Sequence, residues 1–162
     1  MFPGGTKGGV GVDLVHLQAS LVKAEIGAAV FDADGRVVAT GVNQVVAQRC
    51  SLAHAEILAL ALAQKTLGRI RVNADGGRYT LATSAQPCCQ CFGALVWTGI
   101  DELLIGARGE DVEALTEFDE GPLPADWIAQ LQQRGISVRR DLQREAACAA
   151  LADYARLGGA RY

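Results

Sequence analysis

Long apolar runs, an excess of basic residues and a reserve of histidine are all missing from this chain, and each absence closes off a class of function. No stretch is apolar and long enough to span a bilayer, although half of the residues are hydrophobic and mean hydropathy is +0.17; a membrane is therefore not expected as a partner. The opening stretch "MFPGGTKGGVGVD" lacks the basic start, apolar centre and small-residue cleavage site of a secretory signal, which leaves a cytoplasmic protein as the expectation. Thiols stay reduced there, so the five cysteines are not expected to form disulfides. Net charge is −3 with a pI near 5.3, and the densest basic run, residues 139–144, is interrupted by Asp141. Nucleic acid is not an expected partner, because a phosphate backbone is held mainly by clustered Lys and Arg. No repeat or linker divides the 162 residues, a length that suits one domain, 1–162, with one sizeable core.

What is present alternates between helical and strand spacing. Apolar residues at 14, 17, 21 and 22 predict a helix over 12–24 that leads into a buried strand at 26–31. The turn chemistry of "DADG" joins that strand to a second at 36–42 as an antiparallel hairpin. Residues 51–68 predict a buried helix with Ser51 as N-cap and Gly68 as its stop. A strand at 78–84, a buried helix at 88–99 ending on Gly99 and a strand at 101–107 follow. The acidic segment 108–123 reads as irregular, 124–135 as helix, 136–140 as a short strand and 141–157 as a last amphipathic helix, with Leu142, Ala146, Ala149, Ala150, Tyr154 and Leu157 on its apolar face. The economical architecture is α/β, a three-layer α/β/α sandwich around a mixed sheet of about five strands, with sites where helices begin beyond strand ends.

Three of the five cysteines fall in "PCCQC", at the start of a predicted helix. Cys88 and Cys91 are three apart and can point the same way, and the positive end of the helix favours their thiolates. Cys-x-x-Cys by itself fits either a redox dithiol or a soft divalent metal. A third donor is available in His54, one of only two histidines, the other being His16. Three ligands match a catalytic zinc that keeps one tetrahedral position for water. Glu56, two residues beyond His54, is near the site without being a ligand and suits proton transfer. "HAE" and "PCCQC" together match H-x-E and P-C-x-x-C, the signature of zinc-dependent nucleobase deaminases. Cys50, Cys89, Cys148 and His16 are most simply packing residues.

The chain resembles the cytidine deaminase superfamily, and within it the bacterial guanine deaminase branch. The resemblance runs from "GVN" (41–43) through "CSLAHAEILALALAQ" (50–64), "TSAQPCCQCFGALVWTGI" (83–100) and "EDVEAL" (110–115) to "FDEGPLPADW" (118–127) and the final helix. It implies the five-stranded deaminase sandwich, one Zn2+ per chain on His54, Cys88 and Cys91, and hydrolysis of guanine to xanthine and ammonia. Glu56 would shuttle the proton of the zinc-bound water, with the backbone around Ala55 and Cys88 helping to hold the new oxygen, and Glu120 of "FDEG" would be a second proton carrier near the amino group. Asn43 would hydrogen-bond the purine and Trp97 would line the back of its pocket. The resemblance also implies a homodimer whose C-terminal segment, about 141–162, crosses to the partner, so that Tyr162 closes the neighbour's site. Glu25-Ile26 replaces the branch's usual Pro-Phe, whose Phe stacks on the base, and Gln86 replaces its usual Glu. These departures point to a changed pocket mouth and keep guanosine, cytosine-like bases, aminotriazines and pterins open as substrates. A nucleic-acid editing deaminase and a noncatalytic zinc protein are the readings from other classes.

Overall fold

The computed structural model describes residues 27–116 and 118–159; the helix expected over 12–24, His16, Glu25, Ile26 and Tyr162 lie outside them. Along the chain the described elements are β1 (Gly27–Phe31), β2 (Val37–Val42), α1 (Val45–Gln48), α2 (Ala55–Leu67), β3 (Thr80–Ala85), α3 (Cys89–Thr98), β4 (Glu102–Ala107), α4 (Gly109–Thr116), α5 (Trp127–Gln133), β5 (Ser137–Arg139) and α6 (Arg144–Arg156). The β1–β2 hairpin turns as its Asp-Gly sequence requires. Gly35 takes a left-handed φ of 77° and donates its N–H to the Asp32 carbonyl at 3.0 Å, while the Asp32 carboxylate accepts the Asp34 and Arg36 amides, each at 2.9 Å.

The sheet has the order β2-β1-β3-β4-β5, antiparallel from β2 to β3 and parallel from β3 to β5. Alternation along the strands divides the apolar residues between two faces. Ala28, Val30, Leu81, Leu103 and Ile105 face α2, α3 and α5, where Ala59, Ala63, Leu95, Trp127 and Leu131 complete the main core. Ala29, Phe31, Ala82 and Leu104 face the other way, with Leu142 packed against them. Two glycines let helices approach the sheet closely. A Cβ on Gly41 would lie 2.2 Å from the Ala55 carbonyl oxygen under α2, and one on Gly106 would lie 2.9 Å from the Ala147 Cβ of α6 on the opposite face. The result is the expected mixed five-stranded sheet with helices on both faces.

Three local expectations are corrected. Ser51 does not cap α2: the chain turns between Cys50 and His54, with the Ala53 amide bonded to the Cys50 carbonyl at 3.0 Å, and the helix begins only at Ala55 with His54 as N-cap. The segment 108–123 is not wholly irregular, because α4 occupies Gly109–Thr116. Asp111 there reaches back to accept the Arg108 amide at 2.8 Å, and acidic residues in a first turn suit the positive helix end. The buried stripe of α6 is Ala147 and Leu151 rather than Ala146 and Ala149, and Leu157 is exposed, because the helix docks through Gly106 and Val112.

Candidate active site

Two helix starts meet beyond the end of β3. His54 is the N-cap of α2 and Cys88 the N-cap of α3, both with extended backbone (φ −68°, ψ 151° and φ −67°, ψ 175°). Neither side chain caps its own helix, so each is free to turn across the gap between the two. Pro87 and the bond from the Gln86 amide to the Ala107 carbonyl, 2.9 Å, fix where β3 ends and α3 begins. Cys91 stands one turn inside α3, completely buried. The His54 Nδ1 lies 3.5 Å from the Cys88 Sγ and 3.6 Å from the Cys91 Sγ, and all three donor atoms fall within 4.8 Å of one another.

That spacing is a test of metal fit. Tetrahedral zinc with ordinary Zn–N and Zn–S bonds sets its nitrogen and sulfur ligands about 3.6 Å apart, and both N···S distances agree. One nitrogen and two sulfurs are also the donors that zinc prefers, and three of them leave a coordination position open. The protons are arranged accordingly. Hydrogen bonding from Cys91 and His54 pulls the Cys88 thiol down to about 4, the Cys91 thiol is pushed up by its bond to Cys88 and by burial, and the bond to Cys88 raises His54. The low Cys88 value is the one that suits a zinc ligand, which binds as thiolate.

Two carboxylates share the site. Glu56, in the first turn of α2, is 6% exposed, and burial pushes its carboxyl up to about 7, with the Cys88 thiolate adding to the rise. Burial likewise pushes Glu120 up to about 8, again with the negative charges of Cys88 and Glu56 contributing. A divalent ion among the three donors would oppose both shifts and favour the carboxylates. Glu120 is held by its backbone: its carbonyl accepts the Cys89 amide at 3.0 Å, and the Asp119 carboxylate accepts the Gly121 amide at 2.8 Å in the same turn. Cys89 thus serves packing, its thiol lying under Gly121.

His54, Cys88, Glu56 and Glu120 line a cavity of about 240 Å³, and Asn43 lines it too. The Asn43 side chain is oriented by its Oδ1, which accepts the Val45 amide at 3.1 Å at the start of α1. Of the expected site residues, these five and Cys91 come together. Ala55 is fully buried with its carbonyl against β2, so only its backbone is at the helix start. Trp97 is 74% exposed in the single chain and is not among the described residues that line this cavity. Six residues beyond Cys91, it is about 9 Å further along α3 and about 120° around the helix from that ligand. Tyr162 lies outside the described residues. Sequence reasoning gave no site role to Ser51, Phe118 and Asp119, which also line the cavity, and Gln86, singled out as a departure near the pocket mouth, lines it as well. "FDEG" contains two of them, but spacing alone does not tell which side chains of a loop turn inward.

With this geometry in hand, the chain can be set beside known proteins. Residues 14–107 match the family model described as the cytidine and deoxycytidylate deaminase zinc-binding region. The chain is 34% identical over 125 residues to the guanine deaminase of Bacillus subtilis, covering 75% of this chain and 77% of that protein. It is 28% identical over 120 residues to the tRNA-specific adenosine deaminase of Buchnera aphidicola, covering 74% and 72%. Among solved structures, the guanine deaminase from Nitrosomonas europaea superimposes with a TM-score of 0.80 at 47% identity, covering 88% of this chain and 80% of that one. Similar structures hold 8-azaguanine and 2,6-diaminopurine.

Proposed function

Because the chain belongs to the cytidine and deoxycytidylate deaminase family, we propose that it is a zinc-dependent hydrolase that converts guanine and water to xanthine and ammonia. The observation that carries this reading is the N-cap pair His54 and Cys88, joined by Cys91 at zinc spacing beside the buried Glu56 and the half-buried Glu120. His54, Cys88 and Cys91 would hold the ion, which supplies a Lewis acid that lowers the pKa of the attacking water. Glu56 takes the water's proton and delivers it to the ring nitrogen as oxygen bonds to the amino-bearing carbon. Backbone N–H groups at Ala55 and Cys88, at two positive helix ends, stabilise the new oxygen. Glu120 gives a proton to the amino group, the C–N bond breaks and ammonia leaves, and the proton of the new hydroxyl returns to Glu120 as that oxygen becomes the carbonyl of xanthine. Asn43, already fixed by Val45, hydrogen-bonds the edge of the base.

The likeness to guanine deaminases, and to structures that hold 8-azaguanine and 2,6-diaminopurine, supports a free purine base as the substrate. The reading includes a homodimer with closure by Tyr162 of the neighbouring chain. The reading keeps the C-terminal segment, about 141–162, as the one that crosses, and sedimentation of the zinc-loaded protein tests the dimer. Ammonia release by the zinc-loaded protein from guanine, guanosine, cytosine and adenine tests the substrate. Guanine is expected to react fastest, and Glu56→Gln is expected to keep its zinc while losing about 10²–10⁴ in rate. No ammonia from any of the four, or an undiminished rate in the variant, overturns the reading.

A further inference from the structure

A planar base needs more than polar contacts at its edge, and among the described residues the lining of the cavity includes one large flat side chain besides His54. Asn43, Ser51, Gln86 and Asp119 are polar, and Ala85 and Val112 are small. Phe118 is the exception. We propose that Phe118 is the stacking face for the substrate ring and that Tyr154 of α6 is the positioning residue that holds it there. The inference rests on the reading of the chain as a base deaminase.

The placement of Phe118 is fixed from three sides. Its amide donates to the Thr116 Oγ1 at 3.3 Å, and that buried hydroxyl donates in turn to the Val112 carbonyl at 2.6 Å, so the backbone is tied to the end of α4. Its side chain packs on the cluster of Ala85, Ala107, Val112, Ala147 and Leu151. Its ring lies against that of Tyr154, centroid to centroid 5.7 Å with the planes tilted by 40°. Tyr154 is itself wedged: the Gly159 amide bonds its carbonyl at 3.0 Å, and a Cβ on Gly159 would lie 2.2 Å from the ring. Backbone therefore supports Tyr154, Tyr154 supports Phe118, and the Phe118 ring borders the cavity two residues before Glu120. Stacking on an aromatic ring tolerates any planar base and contributes to binding rather than to the chemical step.

The test compares Phe118→Leu with Phe118→Tyr in the zinc-loaded protein, with zinc content and Tm checked for each. Loss of a stacking contact predicts that KM for guanine rises about tenfold in the leucine variant while kcat changes less than twofold. The tyrosine variant restores the aromatic face and most of the lost affinity. Calorimetric binding of 8-azaguanine in a Glu56→Gln background should weaken by the same about tenfold with Phe118→Leu, which reads binding without turnover. Tyr154→Ala should raise KM in the same direction and Tyr154→Phe should not, since the ring makes the contact; this pair decides the matter if Phe118→Leu does not fold. If the parent protein deaminates guanine and Phe118→Leu leaves KM and 8-azaguanine affinity unchanged, the stacking role is overturned and the deaminase reading stands. A fall in kcat alone would also overturn it, by placing Phe118 in support of Glu120. A parent protein that neither releases ammonia nor binds 8-azaguanine removes the deaminase reading and this inference together.

Discussion

Cys88 and Cys89 are neighbours with opposite duties. Cys88, as N-cap, turns to His54, whereas Cys89, the first residue of α3, turns to Gly121 and lends its amide to Glu120. Cys88→Ala should therefore lose zinc and Cys89→Ala should retain it, as metal analysis of the purified variants will show; equal zinc in both would remove Cys88 from the ligand set. Glu120→Gln should likewise keep its zinc but slow guanine deamination, since the amide keeps the shape of the carboxyl and has no proton to pass. General acid removal costs about 10²–10⁴ in rate, and steady-state kinetics within a factor of two of the parent would return Glu120 to the solvated loop. At this scale much of the site was legible, because His54, Glu56, Cys88 and Cys91 are set by short spacings at helix starts. Trp97 was less legible, because a motif match carries a residue type but not the side of the helix it faces. Phe118 was quoted within "FDEG" without a role, because its inward turn depends on Tyr154, 36 positions away along the chain.

Among the elements, the turn from Phe118 to Gly121 depends most on a single backbone geometry. Gly121 has φ 68°, and a Cβ there would stand 2.5 Å from the Cys89 sulfur. Gly121→Ala meets both obstacles: a left-handed alanine costs roughly 1–2 kcal/mol, and the clash pushes the turn away from α3 and Glu120 with it. The expected outcome is a lower kcat on guanine with little change in zinc content. Adding Cys89→Ala should recover part of the lost rate, because it removes the clash but not the strain; no recovery would show that the sulfur contact does not set the position of Glu120. Legibility was uneven here too. Helix stops at Gly68 and Gly99 were readable because a left-handed C-cap has a sequence cost that glycine avoids, and both have positive φ. The start of α2 was not, since the turn at 50–53 is held by backbone bonds that any residues could make.

The whole molecule adds contacts that no local spacing encodes. The beginnings of α4 and α6 are clamped by two charged pairs, each 33 residues apart in sequence: Arg144 holds the Asp111 carboxylate at 2.7 and 2.8 Å, and Arg108 holds that of Asp141 at 2.7 and 2.8 Å. Such pairing is why 108–123 read as an irregular acidic segment while half of it is a docked helix, with Phe118 two residues beyond its end. A mixed sheet of about five strands was readable from the alternation of elements, but the clamp, the cavity and the direction of α6 depend on which helices lie side by side. A pH test follows from the clamp. Hydrogen bonds from Arg144 hold the Asp111 carboxyl down to about 2, below its ordinary value of 3.8. A carboxyl whose folded pKa is depressed stabilises the fold fully above its unfolded pKa and loses that contribution as pH falls through the folded one. Asp111→Asn should lower stability at pH 7 by about 1 kcal/mol, a partly screened charged pair. The difference in Tm between parent and variant should hold down to about pH 5, narrow below about pH 4 and close near pH 2. A difference that persists unchanged at pH 2 would mean that the asparagine perturbs packing rather than charge, and the clamp would then have no electrostatic share in holding α6, and with it Tyr154, against the loop that borders the site.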